Sequence, residues 1–148
     1  MSKNKKRDIE LFIIDIFVAI QKLKEYTKEF IDEEELRYSS LHWDATIREL
    51  EIVGEALNNL LNDKGFSLLS PSYFRKIVDF RNVIVHGYFG IDASEVWNVI
   101  VGKLDILYED LLTIVDNNID LSEAIKYEIL EYEKLKDKNI VKYLKSIS

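Results

Sequence analysis

Three residues able to handle a phosphodiester, Arg81, Asn82 and His86, fall within the eight-residue run Arg81-Asn82-Val83-Ile84-Val85-His86-Gly87-Tyr88. Imidazole moves protons near neutral pH, a guanidinium holds phosphate oxygens, and an amide can orient either partner. Cleavage of RNA by transphosphorylation would need a base at the 2′-oxygen, an acid at the leaving 5′-oxygen and a cation on the phosphate.

The helical pattern gives these residues a geometry. On an ideal helix, with Arg81 at zero, Ile77, Val78, Ile84 and Val85 all lie within about 60° of it. Arg81 therefore sits in the middle of an apolar stripe. A permanently charged group is costly there unless it finds a carboxylate, a wet groove or a bound anion. Glu51 and Glu55, in the segment Arg48-Glu49-Leu50-Glu51-Ile52-Val53-Gly54-Glu55-Ala56, are the expected internal partners, and Gly54 would let another helix approach closely. Asn82 and His86, four apart, share a ridge, where the amide could orient the imidazole or touch the same ligand. Arg81 and His86 stand about 140° apart around the helix. They converge only if the helix unwinds near Gly87 or if a second subunit completes the site. A two-fold dimer would bring two His86 and two Arg81 side chains around one phosphate.

Each residue also has a plain structural reading. A histidine before glycine in a last turn suits the helix dipole without any function. Arg81 could be a structural ion pair, and Tyr88 a packing residue with a wet hydroxyl. His42, beside Trp43, reads as structural. No metal-ligand spacing links the two histidines, no glycine-rich phosphate loop is present, and no Ser/His/Asp arrangement can be placed, so neither a metal nor another cofactor is expected.

The elements that must carry these residues follow from composition and period. With 148 residues, 47% hydrophobic and 32% charged, but only five Gly and one Pro, the chain has few of the turn residues an all-β fold needs. It reads as all-α. A first helix is predicted over Asp8 to Phe30, a short helical turn over Asp32 to Tyr38, and a second long helix from Ser39 or Ser40 to about Asn62, ended by Lys64-Gly65. Ser70 is the expected N-cap of a third helix, with Pro71 at its first position and Gly87 at its end. Asp92 with Glu95 starts a fourth, holding to about Val115. Asp120 with Glu123 starts a more polar last helix, Ala124 to Leu144, expected to pack lightly. The sum is one domain over residues 1–148: an antiparallel four-helix bundle from about 8 to 115, with an additional C-terminal helix over about 120–146.

The absence of cysteine fits a reducing, cytoplasmic setting. The basic start Lys3 to Arg7 is followed by Asp8, Glu10 and Asp15, unlike a signal sequence, and no apolar run is long enough to span a membrane. The net charge of −7 argues against a broad nucleic-acid face. Lys3 to Arg7 and Lys134 to Lys145 are two places where contact with RNA could be helped electrostatically, or they are simply solvated ends.

Taken together, Arg81-Asn82 followed by His86-Gly87-Tyr88 resembles the R-x4-H-x-Y signature of HepT-like toxins, a branch of the HEPN superfamily of helical ribonucleases. Arg48 to Ala56 resembles that family's second-helix segment, and Ile91-Asp92 with Val96-Trp97 its stretch after the motif. The likeness covers roughly Asp8 to Val115. It implies a HEPN-like helical homodimer, a toxin of a toxin–antitoxin system whose facing motifs cleave RNA without a metal. Arg81 would bind the scissile phosphate, His86 would transfer protons and Asn82 would position phosphate or imidazole. The usual partner would be a minimal, MntA-like nucleotidyltransferase antitoxin that silences the toxin by transferring AMP to the motif tyrosine, here Tyr88. The alternative is a non-catalytic helical partner subunit of a nucleotidyltransferase, and a blander third is a scaffold dimer with no site.

Overall fold

The computed structural model describes residues 3–86 and 90–148, with Lys3, Val85 and His86 entering by backbone alone. The described residues form α-helices and no strand, so the all-α fold expected from composition and period is what the chain adopts. The helices are α1 (Lys3–Thr27), α2 (Glu33–Arg37), α3 (Ser40–Leu61), α4 (Lys64–Leu69), α5 (Tyr73–His86), α6 (Ala93–Gly102), α7 (Leu104–Asn118), α8 (Ser122–Lys134) and α9 (Lys138–Ile147). Among the described residues no helix is long and apolar enough to cross a membrane.

The centre is α1. From Ile13 to Ile20 every residue except Asp15 is buried, the pattern of a helix covered on all sides rather than along one stripe. Packed against it are α3, α7 and α8. Helix α3 in turn carries α5, which joins the same core through Phe74, Ile77, Val78 and Ile84. The paired apolar stripes of α1 and α3 therefore fix the platform on which the Arg81 helix lies.

Several boundaries are set by caps. Asp32, Asp63, Asp92 and Asp137 each accept a hydrogen bond from a first-turn amide, those of Glu35, Phe66, Ser94 and Ile140 respectively, satisfying donors that the helix itself leaves unpaired. Asp92 thus starts α6 as its sequence suggested. Ser39 occupies the N-cap position of α3 but makes no capping bond to the backbone. Its hydroxyl lies 2.8 Å from Nδ1 of His42, whose ring meets Phe30 edge-on, in keeping with a structural role for His42.

Several expectations need correction. Ser70 does not cap α5: its hydroxyl donates to the Phe66 carbonyl at 2.8 Å and closes α4, an extra turn held by the buried Phe66. Helix α5 begins only at Tyr73, after a turn through Pro71 and Ser72. The fourth helix breaks at Gly102 and Lys103 into α6 and α7, where glycine tolerates the interruption at low steric cost. The last helix is two helices, folded back at Leu135 to Asp137. That hairpin is not lightly packed, because Leu121, Ala124, Ile125, Ile140 and Leu144 belong to the main core, and Tyr143 meets Tyr108 of α7 hydroxyl to hydroxyl at 2.9 Å.

Candidate active site

Arg81 is positioned by a glycine and an acid on α3. A Cβ built on Gly54 would lie 2.5 Å from Cγ of Arg81 and overlap its Cβ as well, so the arginine stem lies flat in a space that only glycine leaves open. The next residue, Glu55, takes the guanidinium head: its Oε2 pairs with Nη2 of Arg81. On the other side Nη1 donates to Oδ1 of Asn82 at 2.9 Å. The Nε–H is enclosed and finds no acceptor among the described residues. A mid-stripe arginine has thus been given a carboxylate and an amide, with its side chain 26% exposed along one edge.

That edge opens into a groove of about 260 Å³ between α1, α3 and α5, whose lining includes Asp15, Arg48, Glu51, Glu55, Asn59 and Arg81. Two cations face three carboxylates there, so the groove is nearly balanced in charge. Arg48 is 71% exposed and only loosely held, 3.7 Å from Glu51. Desolvation raises the Asp15 carboxyl above its ordinary value of 3.8. An arriving phosphate would meet Arg48 first, at the rim, and the guanidinium of Arg81 deeper in.

Of the two carboxylates expected near Arg81, only one pairs with it. Glu55 is the partner of Arg81, and Gly54 does admit a neighbouring helix. Glu51 lines the same groove but pairs with Arg48 instead, because one helical turn along α3 takes its carboxylate away from the guanidinium. Asn82 orients Arg81 through its carbonyl oxygen, a bond to its chain neighbour that the ridge argument did not anticipate. His86 is the last residue of α5, and its side chain lies outside the described residues, as do Gly87 and Tyr88. The proton-transfer and modification roles expected of His86 and Tyr88 therefore have no geometry here. Asp15 and Arg48 are groove residues that the sequence reading did not single out as site residues. Asp15 had a legible signal, as the one charge within an otherwise apolar run from Ile13 to Ile20.

Comparison with known proteins agrees with this picture. The family model described as ribonuclease HepT-like matches residues 16–115, which takes in α3, α5 and the groove residues they carry but stops short of α8 and α9. A protein of Methanocaldococcus jannaschii named as a gamma-glutamylcyclotransferase and candidate RNase is 28% identical over 142 residues, covering 90% of this chain and 59% of its own length. Another from the same organism, named as a candidate RNase, is 37% identical over 101 residues, covering 64% of this chain and 85% of its own. A protein of Thermococcus cleftensis named as a probable ribonuclease HepT is 35% identical over 96 residues, covering 64% and 84%. The chain thus spans under two thirds of the first relative's length and most of the other two. No solved structure matches it significantly. With the family matched across about two thirds of the chain, including the arginine, its glycine and its carboxylate, this protein belongs to the ribonuclease HepT-like family.

Proposed function

We propose that the protein is the toxin of a toxin–antitoxin pair, an endoribonuclease that cleaves RNA by transphosphorylation at a site shared between two copies of the chain. The observation that carries the reading is the setting of Arg81: a buried-edge guanidinium held by Glu55 and Asn82 against Gly54, with an unmatched Nε–H for which a phosphate oxygen is a fitting acceptor. In this mechanism an imidazole of His86 takes the proton of the 2′-hydroxyl, and the 2′-oxygen attacks phosphorus. The P–O5′ bond breaks, the leaving oxygen receives a proton from the second copy's imidazole, and Arg81 stabilises the charge that builds on the phosphate. The imidazole contributes about 10²- to 10⁴-fold. No metal is required, and Asn82 positions the arginine that positions the phosphate.

Silencing by a nucleotidyltransferase antitoxin belongs to the same proposal. AMP on Tyr88 would add a negative phosphodiester and bulk two residues beyond His86, at the mouth of a site that must accept RNA phosphate. The test is incubation of purified protein with RNA in EDTA. Cleavage by the wild type that is lost in Arg81→Ala and in His86→Ala supports the reading, and absent cleavage, or cleavage unchanged in both variants, removes it. Co-expression with a minimal, MntA-like nucleotidyltransferase followed by mass analysis should show one AMP, lost in Tyr88→Phe. Modification without any RNA cleavage would make the chain a non-catalytic partner subunit instead.

A further inference from the structure

The twelve residues from Lys134 to Lys145 hold five lysines and one aspartate, while the remaining residues hold 15 basic and 26 acidic side chains. The chain is therefore sharply divided, with a segment of formal charge +4 on a body of −11. At 100° per residue Lys138, Lys142 and Lys145 of α9 fall within about 60° of one another. Ile140 and Leu144, on the opposite side of the helix, are 5% and 0% exposed, and the Tyr143–Tyr108 bond anchors the helix further. The packing thus fixes the lysine stripe outward.

Four lysines elsewhere sit beside an acid, Lys22 with Glu49, Lys24 with Asp105, Lys28 with Glu25 and Lys126 with Glu123. Here the local acids are already engaged. Asp137 caps α9 through the Ile140 amide at 3.1 Å, and Glu133 lies 3.8 Å from Lys145. Lys136, Lys138 and Lys142 have no carboxylate within salt-bridge distance among the described residues. They are exposed, and with Lys145 they line a shallow depression of about 530 Å³.

We propose that this lysine stripe is a docking surface for the phosphate backbone of RNA, which it holds at the protein independently of base sequence. A row of lysine point charges neutralises successive phosphates and releases their counterions, and the acidic remainder of the molecule repels the same polyanion, so that the strand is confined to the stripe. A lipid surface fits less well, because an interfacial helix must offer its apolar side to the membrane, and the buried Ile140 and Leu144 of α9 are committed to the core. The proposal rests on the nuclease reading only in naming RNA as the polyanion. It adds a substrate-holding element outside the part of the chain that the family shares.

The experiment uses the full chain and a fluorescein-labelled 20-nucleotide single-stranded 2′-O-methyl RNA, which binds but cannot be cleaved through a 2′-hydroxyl. Anisotropy titrations across a salt series should show Lys138→Gln/Lys142→Gln binding about tenfold more weakly at low salt, with the slope of log affinity against log salt reduced by about 1.4. Lys138→Arg/Lys142→Arg should bind as the wild type does, and circular dichroism should show both variants folded. Equal affinity and slope in the glutamine variant would overturn the proposal, as would binding to vesicles containing phosphatidylserine in the absence of binding to RNA. The two readings separate cleanly. Oligonucleotide bound through the lysines by a protein that cuts no RNA leaves the docking surface standing without the nuclease. Cleavage with unchanged KM in the glutamine variant does the reverse.

Discussion

Because a Cβ at position 54 would overlap the first two carbons of the Arg81 stem, α3 and α5 cannot keep their present spacing with any larger residue there. Gly54→Ala is expected to cost about 1–3 kcal/mol of stability by overpacking, read by chemical denaturation, and to abolish most RNA cleavage at temperatures where the variant is still folded. Glu55→Gln should behave differently. The Arg81–Glu55 pair is half exposed on the glutamate side, so its loss should shift stability by roughly 0–1 kcal/mol. The released guanidinium would be misplaced, and single-turnover cleavage should fall by about ten- to a hundredfold. Intact cleavage in Glu55→Gln would show that Asn82 alone suffices to orient Arg81. Why the sequence pointed to Gly54 and Glu55 is clear: a glycine followed by an acid, inside an apolar helix, is a place where another helix and its charge can come close. It could not separate Glu55 from Glu51, since the two share a face and the choice depends on how far α5 is slid along α3. Nor could it reveal the bond from Arg81 to Asn82, because a long side chain can fold back on its own neighbour whatever the ridge pattern says.

At the level of elements, the hairpin between α8 and α9 turns on Lys136, whose φ of 58° is left-handed. The amides of Lys136 and Asp137 bond back to the carbonyls of Glu133 and Tyr132, the double closure of a Schellman turn, in which glycine is the preferred residue. A lysine there carries a backbone cost of about 1–2 kcal/mol. Lys136→Gly should accordingly stabilise the protein by about 1 kcal/mol after glycine's greater freedom in the unfolded chain is counted, measured as a higher denaturation midpoint. An unchanged or lower midpoint would mean the turn is not limiting. No glycine marked this turn, which is why a single helix from Ala124 to Leu144 looked continuous. The break at Gly102 was hidden for another reason: Val96, Val99, Leu104, Leu107 and Leu111 are all buried on one core, so the apolar period runs on across it. Long, strongly periodic α1 and α3 were legible to within a few residues, whereas α4, a single turn capped by Asp63, has too few residues to show any period.

Across the whole molecule, α8 matters to α1 because, with α7, it covers the side that α3 leaves open, and α9 backs α8. The near-continuous apolar run Ile13 to Ile20 was the available sign that a further layer was needed. The seam carries an unusual load of carboxyls. Glu49 is buried beside Lys22 at 3.9 Å, and desolvation raises its carboxyl above the ordinary 4.5 despite Lys22 and Arg48. Glu128 of α8 is raised by desolvation first and then by the charges of Asp15 and Glu131, and Asp15 is raised by desolvation. A carboxyl whose folded value lies above its unfolded one binds more protons when folded. Its contribution is therefore fully present below the unfolded value, and is lost as pH rises through the raised folded value. The triple variant Asp15→Asn/Glu49→Gln/Glu128→Gln should thus match the wild type in stability below about pH 3.5 and gain on it progressively up to neutral pH, as read from denaturation midpoints at each pH. If residues 1–148 form one folding unit, each melt should be a single transition, and removing α8 and α9 should lower the midpoint of what remains while erasing most of this pH-dependent difference. A truncated chain that melts where the full chain does would show the hairpin to be an independent attachment. The same pH-dependent gain persisting after truncation would place its origin in Asp15 and Glu49, the two of these carboxyls that α1 and α3 carry.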